Sequence, residues 1–289
     1  MTHQTVQVPG ASLSWSLTDL TPPWVSDPPC IVMHHGIGAN HHIFDAWLPA
    51  LLLTHRILRF DMRGHGDSRA SDDDMALDMD RLSDDLLAVM DAAGITRAHL
   101  LGESIGATIA LHAALHHPHR VMTLTISNGA HLGASIQAVE NWHAMIEQDG
   151  MPAWSNFMME GRFAPGAISP EAWHWFQQQQ ATANPRTVPR LLAALVGADL
   201  VDALPGLQPP LMILHPDRSP FIPVPVIADL ARRIPTARLH VFGGARHGLP
   251  FSHAAACAAL FCDFVLTHRE KHETKGRIVS TVDRPGLGH

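Results

Sequence analysis

Five consecutive residues, Gly102-Glu103-Ser104-Ile105-Gly106, could turn a serine into a nucleophile. They follow the apolar run Ala98-His99-Leu100-Leu101 and open a helical pattern. A Gly-x-Ser-x-Gly between strand and helix is a sharp turn that exposes the serine hydroxyl at a helix N-terminus. Its glycines let strand and helix pass closely, and the next backbone N–H can meet an oxyanion. Ser104 is the candidate nucleophile, and the N–H of Ile105 is one candidate oxyanion donor.

Two further segments carry histidines at useful places. His34-His35-Gly36-Ile37-Gly38 follows the apolar run ending at Met33, and its loop would face the elbow and offer the N–H of Ile37 as a second oxyanion donor. With His41 and His42 close by, a metal cluster is the competing reading. Metal sites want ligands on opposed elements with carboxylate or thiolate partners. No such set is evident, and 22 histidines make some clustering ordinary. Gly243-Gly244-Ala245-Arg246-His247-Gly248 lies between the last strand-like run and the last helical one. A histidine on that loop can take the proton of Ser104 and return it to a leaving group. The segment from Asp61 to Ser68, Asp-Met-Arg-Gly-His-Gly-Asp-Ser, reads as architecture: its glycines turn the chain, and Arg63 can pair with Asp61 or Asp67.

These residues need a scaffold, and the chain's rhythm supplies one. Strand-like runs at 30–35, 56–61, 98–101, 121–127, 210–215 and 238–242 are separated by helical patterns, notably 79–93, 105–116, 224–233 and 253–267. That alternation implies βαβ units and a parallel sheet. Residues 5–8 and 13–17 alternate in polarity like an antiparallel edge hairpin. Between about 130 and 204 the rhythm gives way to helical patterns dense in Trp, Met and Phe, which predicts a helical cap over the sheet. The polar end without periodicity predicts a mobile tail.

Composition excludes other classes. A hydrophobic share of 46% suits a packed globular core. A net charge of −7 without a basic cluster argues against nucleic acid. No run of about 18 apolar residues is present to span a membrane, and Met1 to Gly10 lacks the pattern of a signal peptide. The three cysteines, Cys30, Cys257 and Cys262, read as buried free thiols of a cytoplasmic protein.

Taken in order, the elbow, the His-Gly loop, the late histidine and the Asp61–Ser68 turn resemble the α/β-hydrolase superfamily over roughly residues 5–267. Within it, the chain looks most like the 3-oxoadipate enol-lactone hydrolases. Ile126-Ser127-Asn128-Gly129-Ala130-His131-Leu132-Gly133 matches that family's segment after the sixth strand. Trp142 with Ile146, Gly150-Met151 and Gly161-Arg162-Phe163 match its cap. The resemblance implies an α/β-hydrolase fold: a mostly parallel eight-stranded sheet with helices on both faces. The core would be residues 1–130 and 205–269, the cap 131–204 and the tail 270–289. It also implies hydrolysis of a small ester or lactone by an acyl-serine route, with no metal or cofactor.

The resemblance departs at the triad acid. The family places an aspartate after the seventh strand, where aligning on Pro220 and Pro223 puts Ser219. Asp217 stands two residues earlier, and Asn128 occupies the alternative acid position after the sixth strand. Among the three, Asp217 is the expected acid because it alone carries charge. The expected catalytic set is therefore Ser104, His247 and Asp217. Trp142, Trp154, Phe157 and Phe163 should line the substrate site, with Arg162 set to meet a substrate carboxylate. Amide or carbon–carbon bond hydrolysis on the same site is the alternative reaction, and a non-catalytic ligand receptor the alternative class.

Overall fold

The computed structural model describes residues 4–71 and 76–273. Eight main strands form one sheet: β1 (Gln4–Val8), β2 (Ala11–Thr18), β3 (Cys30–His34), β4 (Arg56–Phe60), β5 (Ala98–Glu103), β6 (Val121–Ser127), β7 (Leu211–Pro216) and β8 (Arg238–Phe242). Their order is β1-β2-β4-β3-β5-β6-β7-β8, and a two-residue strand, Arg69–Ala70, pairs with β2. β2 is antiparallel to β1 and β4, and every later pairing among the eight is parallel. The early strands thus make the expected edge hairpin, and the rest make the expected βαβ sheet.

The pattern of the central strands explains why they lie inside. Every residue of β3, β5 and β7 is buried, as parallel strands covered on both faces require. Alternate side chains serve opposite faces. Val32, Leu58, Leu100, Leu124 and Ile213 join one core cluster, and Ile31, Met33, Ile57, Leu101, Met212 and Leu214 join the other. The first face is covered by α1 (Met79–Ala92) and α2 (Ile105–His116), and the second by the segment His41–Trp47 and the last helix. Helix α2 is apolar nearly all round because the sheet and α1 enclose it.

Three helices stand between β6 and β7: α3 (Trp142–Arg162), α4 (Pro170–Thr182) and α5 (Thr187–Val196). Helix α3 is two helices joined at Gly150, whose φ of 80° breaks the helical path just before Pro152. Helix α6 (Val224–Arg233) links β7 to β8, and α7 (Ala254–Glu273) closes the described chain. Helix α7 runs a few residues into the segment expected to be a tail, whose remainder lies outside the described residues. Cys30 and Cys257 are buried free thiols, whereas Cys262, midway along α7 and next to the exposed Asp263, is only partly buried. Among the described residues, no helix is long and apolar enough to cross a membrane.

Candidate active site

The strand order decides where chemistry can occur. In an open parallel sheet, ligands bind beyond the carboxyl ends of strands where the order reverses. Here β3 lies between β4 and β5, and His34 is in register with Gly102. The loop after β3 and the elbow after β5 must therefore leave the sheet side by side.

The elbow has the strained form that its sequence demands. Ser104 has φ 56° and ψ −124°, a conformation costly for any residue with a Cβ. The flanking glycines permit it through close approach. A Cβ on Gly102 would stand 2.4 Å from Gly106 O, and one on Gly106 would stand 2.5 Å from His34 O. Ile105 is the first residue of α2, so its N–H has no acceptor within the helix. Ile37 lines the same cavity as Ser104.

The histidine cluster around this loop is structural. His35 Nε2 accepts the N–H of Met62 at 2.8 Å, and His65 Nε2 accepts the N–H of Gly38 at 2.9 Å. Their Nδ1 atoms lie 2.9 Å from Gly36 O and 3.0 Å from Arg63 O, so the proton is on Nδ1 in each ring. Burial holds both neutral, with His35 lowered to about 3 and His65 to about 4. These two rings fasten the 36–38 loop to the 61–68 turn. Within that turn, Asp61 accepts from His41 Nδ1 at 2.8 Å and from the N–H of Asp67 at 2.9 Å. Arg63 pairs with Asp85 on α1, not with Asp61 or Asp67 as expected, because Asp85 meets its guanidinium with both carboxylate oxygens, each at 2.8 Å. Among the described residues, no group of three or more potential metal ligands is assembled.

His247 reaches Ser104 from far across the sheet. β8 lies three strands from β5, roughly 14 Å at the usual spacing, so the loop 243–248 must fold back. It is held there by several contacts. Asn128 Nδ2 donates to His247 O at 2.5 Å, the N–H of His247 to Gly161 O at 3.3 Å, and the N–H of Gly248 to Arg162 O at 2.8 Å. The result places His247 Nε2 3.1 Å from Ser104 Oγ. Burial first, then the nearby Arg162 and His215, hold the His247 pKa well below its ordinary value. The ring is therefore neutral, with Nε2 free to accept.

The expected acid is elsewhere. Asp217 is exposed, and its Oδ1 accepts the N–H of Gly244 at 2.7 Å, tying the β7 loop to the β8 loop. Ser219 takes the place beside the ring, with Oγ 3.2 Å from His247 Nδ1. The same oxygen accepts the N–H groups of Phe221 and Ile222, each at 3.3 Å. The physical reason is reach: Asp217 leaves the end of β7 while still aligned with β8, and two more residues are needed to arrive at the imidazole. Asn128 holds the backbone of His247 rather than its ring.

The cavity at Ser104 is narrow, with a volume of about 20 Å³, and its walls are largely apolar. Of the expected lining residues, Trp142 and Arg162 face it. Trp154 is fully buried against Gly38, where a Cβ would meet its ring at 2.8 Å. Phe163 packs on Gly248 and Phe176, and so braces the histidine loop. Phe157 is 44% exposed and lines a separate outer depression with Arg218 and Arg246. Sequence reasoning missed Val139, Met158, Leu192, Leu195, Phe221 and Ile222 as cavity walls. Only the apolar stripe of α5 offered a signal for two of them. Phe221 stands edge-on to His247, with centroids 4.9 Å apart.

Arg162 is buried and engaged. Its Nε donates to Gln180 Oε1 at 2.6 Å, and a terminal nitrogen donates to Ile37 O. Its other terminal nitrogen is 3.9 Å from Glu103 Oε1. Sequence reasoning also passed over Glu103, the elbow residue preceding the serine. Its buried carboxylate lies 3.8 Å from His247 Nε2.

Comparison with known proteins agrees with this fold. A family model described as alpha/beta hydrolase fold matches residues 29–192. A pimeloyl-[acyl-carrier protein] methyl ester esterase of Neisseria meningitidis is 30% identical over 81% of this chain and 93% of its own. A 3-oxoadipate enol-lactonase of Acinetobacter baylyi is 30% identical over 41% of this chain and 42% of its own. The crystal structure of an enol-lactonase from Burkholderia xenovorans superposes with a TM-score of 0.81 at 22% identity, covering 91% of this chain and all of that one. With a family model spanning more than half its length and a sheet, elbow and strand order of this kind, the chain belongs to the α/β-hydrolase family.

Proposed function

We propose that this protein is a serine hydrolase that cleaves a small carboxylic ester or lactone through an acyl-Ser104 intermediate. The observation that carries the reading is the 3.1 Å approach of His247 Nε2 to the hydroxyl of a serine strained at a helix N-terminus. As Ser104 Oγ attacks the carbonyl carbon, its proton passes to Nε2. The carbonyl π electrons move to oxygen, which the N–H groups of Ile37 and Ile105 receive. The C–O bond to the leaving alkoxide then breaks, and Nε2 returns the proton to that oxygen. Water repeats the sequence on the acyl-serine and frees the acid.

Ester and lactone chemistry is favoured by the Neisseria and Acinetobacter relatives, whose names specify a methyl ester and an enol-lactone. The apolar walls of Trp142, Met158 and Leu192 suit a largely apolar acyl or ring portion. Arg162 faces the same space, but its hydrogen bonds to Gln180 and Ile37 leave it less available to a substrate carboxylate than the sequence implies. The reaction so written needs neither metal nor cofactor. The test is pre-steady-state hydrolysis of a nitrophenyl ester combined with fluorophosphonate labelling. A stoichiometric nitrophenol burst and a mass adduct on Ser104 are expected. A protein that binds the ester without burst or adduct is a receptor, and the reading fails.

A further inference from the structure

Glu103 is 2% exposed, and neither carboxylate oxygen makes a well-formed hydrogen bond. Burying a carboxylate in this state is costly unless charge offsets it. The groups facing it come from four elements. Arg162 at the end of α3 lies 3.9 Å from Oε1, and His247 Nε2 lies 3.8 Å from the same atom. The Gly36 backbone and the Asn128 side chain also face it and favour its ionised form. Gly36 leaves no room between them, for a Cβ there would stand 2.2 Å from Oε2. A carboxylate so enclosed is part of the site.

His247 meanwhile lacks the usual partner. A triad acid does two things: it fixes the tautomer by accepting from Nδ1–H, and it stabilises the imidazolium formed in the reaction. Ser219 can do the first but carries no charge. Its oxygen already accepts two backbone N–H groups, which weakens it as an acceptor for a third. The other groups facing the ring are Arg162, which opposes a positive imidazole, and His215 on β7, held neutral by burial with its pKa lowered to about 4.

Resting on the serine-hydrolase reading above, we propose that Glu103 is a positioning residue whose buried carboxylate supplies the negative charge for the His247 imidazolium, dividing the work of the triad acid between Ser219 at Nδ1 and Glu103 beside Nε2. Arg162 keeps that carboxylate ionised while it is out of water. Burial pushes the Glu103 pKa up to about 7 against the pull of Arg162. The sign follows. Below that range Glu103 is neutral and gives no support, so the rate should rise with pH through neutrality as the carboxylate ionises. Without the carboxylate that dependence should vanish, leaving only the lower limb of His247 itself.

The test measures the second-order rate of Ser104 labelling by a fluorophosphonate, and kcat/KM for a nitrophenyl ester, from pH 5 to 9 in wild type, Glu103→Gln, Ser219→Asp and the double variant. Glu103→Gln should lower kcat/KM by about 10² to 10⁴, the upper figure being the cost of losing a triad carboxylate, and move the acid limb down by about one pH unit or more. Ser219→Asp should raise kcat/KM at least about tenfold more in the Glu103→Gln background than in wild type, a non-additivity that a merely structural role of Glu103 would not produce. If Glu103→Gln does not fold, Ser219→Asp alone decides the matter: charge at Nδ1 should flatten the neutral limb of the wild-type profile. Equal labelling rates and an unmoved limb in Glu103→Gln, or an unmoved limb in Ser219→Asp, overturn the proposal while leaving Ser104 as nucleophile. No adduct on wild-type Ser104 at any pH overturns the hydrolase reading itself, and the proposal with it.

Discussion

The two sides of the candidate catalytic pair are built in different ways. Ser104 is delivered by one short turn between β5 and α2, and its strained φ is permitted by glycines two residues to either side. His247 is delivered by a loop from β8, three strands away, and held by Asn128 after β6 and by Gly161 and Arg162 at the end of α3. One side is a local backbone solution, and the other is an assembly of distant segments. The assembled side tolerates a different residue at the acid position, since Ser219 can still offer an oxygen to Nδ1. The local side has no such latitude, because a side chain at Gly102 or Gly106 would run into the backbone beside it.

The largest test of the comparison is to remove each side in turn. Ser104→Ala and His247→Ala should each lower kcat by about a millionfold, and the double variant by little more, because the two act as a unit. Steady-state rates with circular dichroism to confirm folding give the answer. Multiplying losses would mean that the sides work separately.

Next comes the local side's intolerance. Gly36→Ala would place a methyl group 2.2 Å from Glu103 Oε2 and 2.7 Å from Ser104 Cβ. Displacing the oxyanion loop should lower kcat by about 10² to 10³, the usual cost of one oxyanion donor. Burst amplitude and kcat measured together check this, and unchanged kinetics would show that the loop has slack.

The assembled side predicts a gain. Ser219→Asp puts a carboxylate where two backbone N–H groups already converge, and charge beside Nδ1 should raise kcat by about ten- to a hundredfold. A fall in kcat without loss of folding would show that the Ser219 loop cannot present a carboxylate to the ring. The smallest effect is expected at the neighbouring acid. Asp217→Asn keeps an acceptor for the Gly244 N–H and touches no reacting atom, so kcat should stay within about twofold of wild type. A loss near the 10⁴ typical of a triad carboxylate would mean that the loop rearranges to bring Asp217 to the ring.

Most of the scaffold was legible in the chain. The strand at 121–127 and the helices at 105–116 and 224–233 begin and end where the apolar pattern places them. Strands covered on both faces read as unbroken apolar runs, and an elbow reads as its glycines. The pocket was less legible. Trp142 and Arg162 face the cavity, whereas Trp154 and Phe163 turn to brace Gly38 and the histidine loop. Aromatic density in a cap reports that something is packed there, not which face of each ring meets the substrate.

Sequence alone determined the strained turn at Ser104, the helices and strands around it and the order of the segments, because these depend on backbone sterics and on periodicities within a few residues. It also showed that Ser219 stands where the resemblance puts the acid and that Glu103 precedes Ser104, but not what either does. Only the tertiary structure decided that Asp217 ties two loops together, that Ser219 touches the imidazole, and that Glu103 and Arg162 meet beside it. The reason is distance along the chain. The ring of His247 is 143 residues from Ser104 and 28 from Ser219, and contacts at that range are set by strand order and loop reach, which no local pattern encodes.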